Sequence, residues 1–202
     1  MPTPEGFDYW GFISYSSKDE SVATRLHRGL ETYRLPRGLR GRPGRDGAVP
    51  PRITPVFRDR DELPLSSDIG QSIEAALEAS AYLVVVCSPH AANSRWVNEE
   101  IRYFKSLGRE DRVLAIMIDG EPNASDAPDT ADRECFPPAL RYRVGADGEP
   151  TEQRVEPIAG DMRPGTGRDG FRNAMLKAVA GICGIDFAAL VNREAKRRRR
   201  RA

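Results

Sequence analysis

The chain has 202 residues, 39% hydrophobic and 30% charged, which suits one ordinary domain with a real core and is short for two. No apolar run approaches the roughly 18 residues of a membrane-crossing helix, and the opening MPTPEGFDYW lacks a basic patch leading into an apolar stretch, so a cytoplasmic protein is expected. A net charge of +1 hides an asymmetry: residues 193–202 carry seven basic side chains against Glu194, a net +6, leaving −5 on the remainder.

In chain order, GFISYS (Gly11 to Ser16) is a short apolar and β-branched run that reads as a strand, and SKDE reads as a capping box from Ser17 to Glu20. Val22, Leu26, Leu30 and Tyr33 then recur at helical spacing, predicting a helix from about 19 to 33. An insertion rich in Pro, Gly and Arg covers about 34–52 and reads as a surface loop. Its Gly38, Gly41 and Gly44 follow a helix and lead into none, so they are not a dinucleotide fingerprint. ITPVFR is a second strand, followed by the charged DRDELPLSSD and a helix carrying Ile69, Ile73 and Leu77. AYLVVVCS has the continuous apolar run of a central strand buried on both faces, and RVLAIMID repeats it after a helix opened by NSRW.

Strand and helix thus alternate at least three times, which implies a parallel sheet with helices on both faces and sites at the carboxyl ends of strands. A long polar connection covers about 120–153. VEPIAGD supplies a last edge strand, Phe171, Met175, Val179 and Ile182 form one helical stripe, and a short helix is expected over 185–195.

Three scattered cysteines, Cys87, Cys135 and Cys183, argue against a disulfide framework and for a reducing compartment. Cys87 and His90 are the close pair of metal-type ligands, and His27 is the remaining histidine, so no metal is expected. The basic end could meet an anionic membrane or nucleic acid, lead into a membrane segment, or be a solvated terminus.

SRWVNEEIRYF (Ser94 to Phe104) carries the candidate chemistry. At about 100° per residue, Val97, Ile101 and Phe104 form the buried stripe. Glu100 borders that stripe and Trp96 lies one turn away on the same edge, whereas Glu99 falls nearly opposite. Glu99 is therefore expected in solvent and Glu100 at a partly apolar margin, either as a reactive carboxylate or as the partner of Arg95 or Arg102.

Four segments in order, FISYSSKD, FRDRDEL, VVVCSPHAANSRWVNEEI and VLAIMIDG, resemble a bacterial Toll/interleukin-1 receptor (TIR) domain over roughly residues 8–185. The resemblance implies a flavodoxin-like three-layer α/β fold with a central parallel sheet of about five strands, a TIR domain over 1–190 and a basic tail over 191–202, juxtamembrane or linker. Enzymatic relatives cleave NAD at the nicotinamide-ribose bond, with NAD as substrate and no cofactor. Glu100 of the Trp-x-x-x-Glu pattern would be catalytic, with Trp96, Tyr15, Ser16 and Asp59 binding substrate. The lid and interaction loop, Asp59 to Asp68, would involve Arg58, Arg60, Leu63 and Pro64. Where some active relatives have arginines after the Phe-Ile-Ser-Tyr segment, this chain has Ser16 and Ser17, so Arg58, Arg60 or the arginines of 34–45 would meet phosphate.

The partners implied are NAD, other TIR domains through self-association, and a fused sensor or membrane segment after the tail; nucleic acid is not expected. Anti-phage defence is the implied role, with a non-catalytic TIR interaction module as the competing reading. A response-regulator-like domain is disfavoured, because the first strand ends in no acidic cluster and no phosphate-binding glycine loop follows it.

Overall fold

The computed structural model describes residues 3–58, 69–145 and 147–199. β1 (Gly11–Ser14) leads through a 3-10 turn (Ser17–Asp19) into α1 (Glu20–Thr32). A small hairpin, β2 (Pro43–Gly44) and β3 (Gly47–Ala48), precedes β4 (Val56–Arg58), and α2 (Ile69–Glu78) precedes β5 (Leu83–Cys87). Then come α3 (Pro89–Ala92), α4 (Arg95–Ser106) and β6 (Val113–Met117). α5 (Pro138–Arg141), β7 (Tyr142–Val144) and β8 (Pro150–Arg154) lie in the long connection, before β9 (Ala159–Asp161), α6 (Gly170–Cys183) and α7 (Phe187–Arg199).

The main sheet runs β4-β1-β5-β6-β9 with every neighbour parallel, in the register Phe12 to Leu83, Val84 to Leu114 and Ile116 to Gly160. This is the flavodoxin-like architecture expected of the sequence. All five residues of β5 are buried, which is why its apolar run does not alternate. Its pleat divides the core. Val84 and Val86 pack with α1, α6 and α7 on one face, while Leu83, Val85 and Cys87 pack with α2 and α4 on the other. β1 divides likewise, with Ile13 on the first face and Phe12 on the second.

The 34–52 insertion is more than a surface loop. Leu35, Leu39 and Val49 are buried in the first core, and Asp46 accepts from the Tyr82 hydroxyl at 2.6 Å and from both Arg112 terminal nitrogens at 3.0 and 2.6 Å. The 120–153 connection is also ordered from within. Glu134 accepts from the backbone N–H groups of Asn123 and Ser125 at 3.1 Å each and of Phe136 at 2.9 Å. The guanidinium of buried Arg141 lies 2.7 Å from Asp126 and 3.6 Å from Glu134.

Two local expectations are corrected. No capping box forms at Ser17: the helix opens with a 3-10 turn, and neither Ser16 nor Asp19 lends its side chain to a cap. The last helix is also longer than expected, because the basic stretch is the second half of α7 as far as Arg199. Leu190 anchors it in the core, and buried Glu194 joins it to Arg172 at 2.7 Å and to Arg197 at 3.2 Å, offsetting the like-charge run. No helix among the described residues is long and apolar enough to cross a membrane.

Candidate active site

α4 starts at Ser94, whose hydroxyl accepts the N–H of Val97 at 3.3 Å. Burying Val97, Ile101 and Phe104 against the second core then sets the rotation of the whole helix. That rotation separates the neighbouring glutamates. Glu99 is exposed and pairs with Arg102 at 3.2 Å, whereas Glu100 is only 7% exposed. Ser14, the last residue of β1 and itself fully buried, donates its hydroxyl to Glu100 Oε2. The bond fixes the carboxylate's position at the carboxyl end of β1.

A groove of about 310 Å³ runs between α2 and α4 beside this carboxylate. Ile73 and Leu77 form its α2 wall, and Trp96, Glu100 and Tyr103 line its α4 side. Trp96 is 55% exposed, unusual for so large an apolar ring, and lines the groove. Glu74, Glu99 and Asp147 add acidic groups, and Arg102 adds a cation. The Tyr103 hydroxyl donates to Glu78, and that bond, with some burial, pushes its pKa up to about 12. The groove can thus hold a cation or a developing positive charge against an aromatic wall.

A second polar contact lies at the carboxyl ends of β1 and β5, where the chain order in the sheet reverses. Ser88 donates to Asp19 Oδ2 at 2.6 Å, and its oxygen accepts the N–H of Ala91 at 3.0 Å, capping α3. Ser88 is therefore a cap residue with its hydroxyl proton committed to Asp19, not a nucleophile.

Of the residues singled out in the sequence, Glu100 and Trp96 come together at the groove, and Glu99 and Arg102 line it as well. Tyr15 is buried in the opposite core, and Ser16 is half-buried at the entrance to the 3-10 turn; neither lines the groove. The guanidinium of Arg58 donates to the Thr24 hydroxyl on α1. Asp59, Arg60, Leu63 and Pro64 lie outside the described residues. Among the described residues, no three His, Cys, Asp or Glu side chains converge as a metal site. Burial pushes the pKa of Cys135 and of Cys183 up to about 12, and that of Cys87 well above its ordinary value, as suits packed thiols. Sequence reasoning missed Ser14. Its signal was the period-two alternation of β1, which sets Ser14 on the same face as Phe12, the face that α4 covers.

The family model of the TIR-like domain of Thoeris protein ThsB matches residues 12–123. NAD(+) hydrolase ApTIR from an Actinoplanes species is 34% identical over 182 residues, which is 88% of this chain and 23% of that protein. The chain therefore spans about a quarter of the length of that curated relative. Among solved structures, the TIR domains of the activated Roq1 resistosome, which recognises the effector XopQ, match at 20% identity with a TM-score of 0.41. That match covers 56% of this chain and 60% of the other.

Proposed function

This chain belongs to the family of Thoeris ThsB TIR-like domains, and we propose that it cleaves the nicotinamide-ribose bond of NAD, with Glu100 as the catalytic carboxylate. The observation that carries the proposal is a buried glutamate, held by a buried serine hydroxyl, opening onto an acidic groove that Trp96 lines.

The chemistry needs one carboxylate. Glycosidases that expel an alkoxide commonly add a general acid. Nicotinamide leaves a cationic pyridinium as a neutral molecule, because the bond electrons move onto its ring nitrogen and cancel the charge. Positive charge passes to the ribose, where Glu100 stabilises the oxocarbenium-like centre. Water adds to the anomeric carbon and releases one proton, giving ADP-ribose; attack from within the substrate gives a cyclic isomer instead. Trp96 offers its face to the nicotinamide ring and excludes water from that side.

The acidic groove suits the cationic end of NAD but not its diphosphate. On this reading Arg58 and Arg60 meet the diphosphate, Asp59, Tyr15 and Ser16 bind substrate, and a neighbouring subunit completes the cleft. This is why the reading includes activation by self-association, and the ThsB kinship supports a role in anti-phage defence.

Concentrated protein should release nicotinamide from NAD, as followed by chromatography. Glu100→Ala should abolish release, whereas Glu99→Ala, which removes one of several acidic groups from the groove wall, should lower it by no more than about tenfold, about 1.4 kcal/mol in barrier. No release under conditions that drive assembly would favour the interaction-module reading. Equal loss in both variants would remove Glu100 from its role.

A further inference from the structure

On the opposite layer of the sheet from Glu100, the 34–40 loop and α7 enclose a hollow of about 530 Å³. Six cations line it: Arg34, Arg37 and Arg40 from the loop, and Arg193, Lys196 and Arg197 from the helix. None of its lining residues among those described is acidic or aromatic. The local folding reasons are plain. Buried Leu35 and Leu39 pin the loop to the core, buried Leu190 pins α7, and positions 193, 196 and 197 share one helical face.

Two of the six cations build the wall. Arg197 donates to the carbonyl oxygen of Arg34 at 2.9 Å, and Arg40 Nε donates to that of Leu35 at 2.8 Å. Gly38 gives room to a third, since a Cβ there would collide with the Arg193 guanidinium. Arg34, Arg37, Arg193 and Lys196 have no side-chain hydrogen bond or ion pair among the described residues. Arg45, Arg112, Arg154 and Arg163, by contrast, each meet an aspartate. Unmatched like charges facing one hollow repel, and a multivalent anion between them turns that repulsion into attraction.

We propose that this hollow binds a compact polyphosphate, such as the triphosphate of a nucleotide. Guanidinium forks match phosphate oxygens in pairs, and the volume falls in the range of small-ligand sites. A flat bilayer does not follow a concave wall. Within the hollow itself no described lining residue offers a ring on which to stack a base, so the site reads charge density rather than base identity.

Calorimetric titration of inorganic tripolyphosphate into the whole chain tests this, with a single-stranded oligonucleotide and phosphatidylserine vesicles as the other arms. Binding should be one to one and weaken with salt. Arg37→Ala and Arg193→Ala should each weaken it about tenfold, the ratio expected for losing one charge-assisted hydrogen bond. Gly38→Ala should weaken it by displacing the Arg193 guanidinium, and Arg42→Ala, an exposed arginine outside the hollow, should not. Unchanged melting temperatures would separate these effects from unfolding. Absence of tripolyphosphate binding, equal loss in Arg42→Ala, or binding of vesicles or oligonucleotide that tripolyphosphate does not displace would each overturn the proposal.

Discussion

Glu99 and Glu100 are the same residue type at adjacent positions, and their different fates follow from about 100° of helical rotation. Glu100 turns inward to the Ser14 hydroxyl; Glu99 turns outward to Arg102. Ser14→Ala should therefore remove a donor from a buried carboxylate, costing about 1–3 kcal/mol of stability in denaturant unfolding. Nicotinamide release should fall as well, and Glu100→Ala should make the Ser14 substitution nearly silent in both assays, because the two share one interaction. Trp96 tests the opposite relation between stability and activity. With more than half of its surface in solvent, Trp96→Ala should change unfolding free energy by less than about 1 kcal/mol while lowering NAD cleavage tenfold or more.

At the scale of elements, α4 is oriented by its apolar stripe and the site depends on that orientation. Phe104→Ala should cost about 3–5 kcal/mol in denaturant unfolding, since the ring is fully buried between α4 and the sheet. The strands and main helices were legible because their periods are local: the unbroken apolar run of β5, and the 3.6-residue stripe of α4. The start of α1 and the end of α7 were not. Ser17 has the spacing of a capping box, but the 3-10 turn moves the helix start past it. The basic run stays helical because Glu194 is shared between Arg172, on a different helix, and Arg197.

At the scale of the whole molecule, carboxylates order the long segments with little regular structure: Asp46 ties the 34–52 insertion to Tyr82 and Arg112, and Glu134 holds the 120–153 connection from within. Hydrogen bonds from Arg163 hold the pKa of Asp161 below its ordinary 3.8. Burial alone would raise those of Asp46 and Glu134. In Asp46 the donors Arg112 and Tyr82 more than offset it; in Glu134 the N–H groups of Phe136 and Ser125 do so, and both fall below their ordinary 3.8 and 4.5. A carboxyl whose folded pKa is depressed stabilises the fold above its unfolded value, and that stabilisation is lost as pH falls through the folded value. The melting temperature should therefore drop as pH falls from about 5 to 3, as measured by calorimetry. Asp161→Asn should melt lower at neutral pH and show a shallower drop.

The sequence by itself determined the apolar stripes of the main strands and helices, and from these the parallel α/β layering and the burial of Glu100 beside an exposed Glu99. Those features depend on backbone periods of two and 3.6 residues, which are the same wherever the element sits. Only the tertiary structure decided that Ser14 meets Glu100 across 86 residues of chain, that Tyr15 turns to the other core, and that α2 supplies the facing wall of the groove. It also brought the 34–40 loop to α7, gathering three cations from each of two segments more than 150 residues apart in sequence. Such pairings depend on strand order and on how helices cross the sheet, and these are settled by the burial of all layers at once rather than by any local run of residues.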